Sequence, residues 1–222
     1  MACSYTAHMA ATETRLLLLG AVMIFEPANG YQLRRELLSW QVEQWAHINP
    51  GSIYSGLATL ARQGHLERHD LVDAGREVAV YTSTPAGRTE FERLFGEAVE
   101  TVDLLQPLGF NTAMTLLPLM RRDALIRMLR ARLANADALE AAQAAAEYDP
   151  ASMPPHVLVL GDLWLRLGGV ERAWVEELLA RLERGELELY GEPVTWQASD
   201  DDPGWQMARD RERYVRLLAG RR

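Results

Sequence analysis

The chain has 222 residues, 48% of them apolar, which suits one large or two small domains with a real core and excludes wholesale disorder. A single cysteine, Cys3, excludes an internal disulfide and fits a reducing cytoplasm. The net charge of -8 excludes a uniformly basic nucleic-acid binder, but binding needs local positive potential rather than a positive total.

Residues 12–25 read as a first helix. Its apolar stretch 16–25 is shorter than the roughly 20 residues a bilayer span needs. Only Arg15 is basic before it and no small-x-small cleavage site follows, so it reads as a buried helix, neither membrane span nor leader. Asn29 and Gly30 break the chain. A second helix follows, with Leu33, Leu37 and Trp40 on one face. Asn49 can cap a third helix, and Pro50 suits its first position. Ile53, Leu57 and Leu60 form its apolar stripe, and Gly64 stops it. Two strands are predicted at about 65–71 and 77–83, joined by a turn at Asp73, Ala74 and Gly75. In the second, Val78, Val80 and Thr82 alternate with Ala79, Tyr81 and Ser83, as in a strand buried on one side. Thr84 and Pro85 open a fourth helix running to about Val102.

Residues 106–110, with Pro107 and Gly109, read as a linker. Beyond it a helix spans 120–148, with Ile126, Leu129, Leu133 and Ala136 in a stripe. Residues 149–155 hold three prolines and break it. A long helix follows over 156–185, where Leu160, Leu163, Leu167, Val170 and Trp174 make a coiled-coil-like seam. Gly168 and Gly169 interrupt it, and the chain can kink there. A polar loop with Asp200, Asp201 and Asp202 leads to a short amphipathic helix at 205–218. The fold is therefore mainly α with a small β-hairpin, arranged helix, helix, helix, hairpin, helix and then a helical half. That order is a winged helix-turn-helix, over 12–103, followed by a C-terminal helical domain, over 111–222.

Three stretches carry a family resemblance. Pro27, Gly30, Tyr31 and Leu33 resemble the Pro-x-x-Gly-Tyr-x-Leu of PadR-type regulators. Pro50, Gly51, Ser52, Ile53 and Tyr54, with Leu57, Leu60 and Gly64, resemble the family's recognition-helix signature. Tyr81, Thr82, Thr84, Pro85, Ala86, Gly87 and Arg88 resemble its exit from strand to helix. Ser55 and Gly56 depart from the Pro and larger residue many members carry there, and the wing has only Arg76 near its tip.

The resemblance implies a repressor-like regulator that binds double-stranded DNA as a homodimer; the alternative is a winged-helix protein that acts mainly through protein partners. The regulator's two recognition helices would enter major grooves about 34 Å apart on a near-palindromic site. Ser52, Tyr54, Ser55, Thr59 and Arg62 must point away from the Ile53 stripe, and with Asn49 they form the predicted DNA face. Arg34 and Arg35 on the second helix and Arg76 on the wing are predicted phosphate contacts. Leu160, Leu163, Leu167, Val170 and Trp174 are the predicted dimer seam. Trp164 and Trp174 are read most simply as packing anchors; the resemblance also implies that such rings can hold a small flat aromatic effector.

No cofactor or metal is expected. His65 and His69, if on a strand, would lie about 13 Å apart, too far to share an ion. Cys3 and His8 are ordinary terminal residues, and Asp200, Asp201 and Asp202 lack calcium-loop spacing. No Walker loop, Gly-x-Ser-x-Gly or His-Glu-x-x-His is present, so no enzymatic activity is expected.

Overall fold

The computed structural model describes residues 2–46, 48–145, 152–193, 199 and 204–220, with side chains from residue 12 onward. The side chains of Cys3 and His8, and Trp196, Asp200, Asp201 and Asp202, lie outside the described residues.

The first helix, α1 (Ala2–Phe25), begins earlier than its apolar pattern announces. Leu16, Leu17, Leu18, Leu19, Ala21 and Val22 are all fully buried. A helix apolar on every side belongs at the centre of a core, and α1 is that centre. A short strand β1 (Ala28–Asn29) stands where the sequence pattern shows only a break. Then come α2 (Gly30–Ser39), a one-turn helix α3 (Val42–Trp45) with no clear sequence signal, and α4 (Pro50–Arg62). The hairpin is β2 (Leu66–Asp73) and β3 (Arg76–Ser83). Asp73 pairs with Arg76, leaving the two-residue turn Ala74–Gly75, both at positive φ (48° and 79°). That geometry suits the right-handed twist of a hairpin, and glycine adopts it freely. The sheet order is β1-β3-β2, all antiparallel.

Thr84 begins α5 (Pro85–Glu100): its hydroxyl accepts from Gly87 N and donates to Gly64 O at 2.7 Å. Gly87 cannot be anything larger here, since a β-carbon would lie 1.9 Å from His65 O. Residues 108–115, partly assigned to a linker by the Pro and Gly pattern, instead form the helix α6 (Leu108–Thr115), with Phe110 buried. A 3-10 turn (Leu117–Leu119) leads into α7 (Arg122–Ala145). The fully buried residues of α7 are Leu125, Leu129 and Arg132; of the expected Ile126, Leu129, Leu133 and Ala136, Ile126 and Leu133 are half-buried against the same core. A cation, Arg132, stands at the C-terminal end of this buried set. Its guanidinium donates to Val99 O and Thr101 O, carbonyls left over at the end of α5, and to Glu171 Oε1 at 2.6 and 3.0 Å. It also lies 3.9 Å over the Phe110 ring.

Helix α8 (Pro155–Glu183) continues through Gly168 and Gly169 without interruption. The lack of a side chain at Gly168 serves packing: a β-carbon there would sit 3.0 Å from Leu104 Cδ1. Arg122 gathers the chain beyond α8 by donating to Leu182 O, Leu187 O and both oxygens of Glu192. One hydrophobic core runs from α1 through α4 and α5 to Leu125, Leu129, Val175, Leu178 and Leu182, so the two halves share their interior.

The last helix, α9 (Gly204–Ala219), packs back on the hairpin. Tyr81 faces the main core, while Val80, on the opposite face of β3, is buried with Leu71 and Tyr214. The expectation of a strand buried on one side therefore fails, because α9 covers the other face with Tyr214, Leu217 and Leu218.

Candidate nucleic-acid interface

The third sequence helix, α4, is held by its cap and its stripe. Asn49 Oδ1 accepts from Gly51 N at 2.9 Å, Pro50 opens the first turn, and Ile53, Leu57 and Leu60 are buried. The opposite flank looks outward. Tyr54 is half exposed, and its ring lies 3.0 Å from where a β-carbon on Gly30 would stand. Glycine at that position lets the start of α2 close against α4.

The side chains of α4 are not all at liberty. Asn49 is used as a cap. Ser52 Oγ donates to Asn49 O at 2.6 Å and Ser55 Oγ to Ser52 O at 3.1 Å, so each hydroxyl must rotate before it can donate outward. Thr59 Oγ1 accepts from Arg62 Nη2 at 3.0 Å. Arg62 sits at the far end of the helix, about 15 Å of axial rise from Ser52.

The predicted phosphate contacts divide. Arg34 is half buried on α2. Arg35 turns toward Glu36 (2.7 Å) and has Met207 Sδ of α9 at 3.9 Å, so it belongs to the junction with α9 rather than to the α4 face. Arg76 stands exposed at the hairpin tip. Arg68 is bound to Asp70 Oδ1 through two nitrogens, at 2.8 and 2.9 Å.

Residues 18–93 match the model of the transcriptional regulator PadR-like family. The chain carries a PadR-like domain. Members of this family are transcriptional regulators and not enzymes. The chain is also similar to the crystal structure of Bacillus subtilis PadR in complex with operator DNA, at 19% identity over 76% of this chain and 96% of that one, with a TM-score of 0.31. No curated protein matches the chain.

Around the PadR-like domain, two residues missing from the sequence-based face emerge. Tyr31, 63% exposed, stands at the start of α2 beside Gly30. Arg213 of α9 reaches Asp73 Oδ2 at the hairpin at 2.9 Å. Tyr31 could have been found from its place in the Gly-Tyr motif. Arg213 could not, because nothing local says that α9 returns to the PadR-like domain.

In the helical half, Leu160, Leu163, Leu167, Val170 and Trp174 are all at least 43% exposed on α8. Trp174 meets Phe110 edge-on, with centroids 6.0 Å apart. Trp164 lies ten residues away, about 15 Å along the same helix, so the two rings of one protomer are too far apart to clasp one flat ring between them. Among the described residues no group of three or more His, Cys, Asp or Glu could hold a metal ion, and no helix is long and apolar enough to cross a membrane.

Proposed function

We propose that this PadR-like protein is a dimeric repressor that places α4 of each protomer in successive major grooves of a near-palindromic promoter site. The observation that supports it most is the two-sidedness of α4. Ile53, Leu57 and Leu60 anchor one flank in the core, while Ser52, Tyr54, Ser55, Thr59 and Arg62 line the other. Short hydroxyls there can reach base edges, and the tyrosine and arginine can reach phosphates. The two copies come together through the exposed α8 face, which a dimer partner would cover.

The test is a titration of the full chain against the promoter duplex upstream of its own gene. The variant is Ser52→Ala with Tyr54→Phe, which keeps the ring against Gly30 while removing both hydroxyls. Affinity should fall at least about tenfold with an unchanged melting curve, since each lost contact is worth roughly 1 kcal/mol or more. Unchanged affinity would remove α4 from the interface.

A further inference from the structure

The helix α9 is tied to the PadR-like domain by a polar network. Asn29 Oδ1 accepts from Gln32 N, and Gln32 Oε1 accepts from Asn29 N, which closes a capping box on α2. The other end of each amide turns to α9. Asn29 Nδ2 donates to Tyr214 Oη and Gln32 Nε2 to Asp210 Oδ2, both at 2.8 Å. Tyr214 is 1% exposed. The helix is therefore seated in one register.

That register leaves a groove between the start of α2, the hairpin tip and α9, lined by Tyr31, Arg35, Asp73, Arg76 and Arg213 among others. Arg213 bridges Asp73 (2.9 Å) and Asp210 (3.3 Å), so the anions of the groove face a cation. Arg209, Arg213 and Arg216, at i, i+4 and i+7, continue the positive charge along one flank of α9. The described part of α9 carries four arginines against two acids, in a chain whose net charge is -8. The groove is also continuous with the α4 face, because Tyr54 packs on Gly30 and Tyr31 follows it at the groove edge.

We propose that α9 is part of the DNA interface: the groove it closes takes the phosphate backbone flanking the α4 site, held by Arg35, Arg76 and Arg213 and extended by Arg209 and Arg216. This rests on the reading of the protein as a DNA-binding regulator. A phosphodiester oxygen suits convergent guanidinium groups, which donate in pairs and stay charged at any working pH. It also explains how a hairpin with one arginine at its tip can sit against a polyanion: the cations come from the far end of the chain.

The experiment measures affinity of the full chain for two duplexes of about 30 base pairs, roughly three helical turns. One has the promoter sequence upstream of its own gene and the other a random sequence. Both are titrated across a salt series. Each phosphate neutralised contributes about -0.9 to the log-log slope. In a dimer, Arg209→Gln with Arg213→Gln should make the slope shallower by roughly three to four units and weaken both duplexes alike. Asp73→Asn should tighten both, because it removes an anion from the groove and leaves Arg213 only Asp210 as an acidic partner; an ion pair remote from the DNA gives no such gain. Arg209 bonds Gln206, and Arg216 faces Glu212 at 4.0 Å, both on α9 itself. The pair Arg209→Gln with Arg216→Gln therefore decides the matter if loss of Arg213 unfolds the protein. Normal binding by the wild type with unchanged slopes in these variants overturns the role of α9 and leaves the α4 reading intact. Failure of the wild type to bind either duplex overturns both.

Discussion

Arg132 shows what one side chain can organise. It is 2% exposed, yet its charge is met by Glu171, by two carbonyls at the end of α5 and by the face of Phe110. Removing one partner of a buried pair leaves the rest uncompensated, which costs about 3 to 5 kcal/mol. Glu171 is partly solvated, with its side chain 22% exposed, so the lower end applies. Arg132→Ala should lower the unfolding free energy by about 3 kcal/mol in urea titration, while a loss below about 1 kcal/mol would mean water already satisfies this cluster.

Glu13 on α1 is the opposite case. Its Oε2 is buried with no hydrogen-bond partner among the described residues, and burial raises its pKa above the ordinary carboxylate value. A raised pKa means the folded state holds the proton more tightly than the unfolded one. The stabilising contribution is therefore present at low pH and is lost as pH rises through the folded value. Glu13→Gln should raise the urea midpoint at pH 7, and the gain should shrink as pH falls toward about 4, the ordinary carboxylate range. An equal gain at both pH values would show that no buried charge is being relieved.

At the scale of elements, what was legible in the sequence was local. Asn49, Pro50 and the Ile53, Leu57, Leu60 stripe announce α4 because cap, first turn and buried face all lie within thirteen residues. Thr84 and Pro85 announce α5 in the same way. The apolar pattern of α7 finds Ile126, Leu129 and Leu133 but not Arg132, because a buried arginine is invisible to it and Phe110 and Glu171, which accept the charge, come from two other helices. Gly168 looked like a weakness in α8 because only the fold brings Leu104 against it. The second buried face of β3 was hidden for the same reason. Val80 carries no mark that Tyr214, far along the chain, will cover it. Of the candidate interface, the sequence offers the outward flank of α4, Arg35 and Arg76, whereas the contact of Arg35 with Met207 and the place of Arg213 beside the hairpin depend on where α9 lands and carry no local signal.

At the scale of the whole molecule, the shared core argues against treating the winged N-terminal half as a detachable head. Leu94, Phe95 and Val99 of α5 belong to one interior with Leu125, Leu129 and Val175. Assembly is therefore best tested in the full chain. The α8 face presents Val159, Leu163, Leu167 and Val170 within about three turns, each at least 48% exposed, a clustering that marks a candidate contact surface. Leu163→Glu with Leu167→Glu would bury charges without partners in a dimer seam, at a cost of several kcal/mol. Light scattering should report a monomer with an unchanged helical signal. A dimer that persists would move the main interface off α8.

The seat of α9 also bears on the order in which the protein can be finished. Asn29 and Tyr214 are 185 positions apart, and they meet across the outer face of the hairpin. A ribosome releases the strands long before it makes the helix that covers them. Until then Leu71 and Val80 face water, and Asn29 and Gln32 lack half their partners. Loop closure over such a distance comes late. The winged domain of a nascent chain is thus complete in backbone but open on one side, and it reaches its final surface only when the chain folds back on its own beginning.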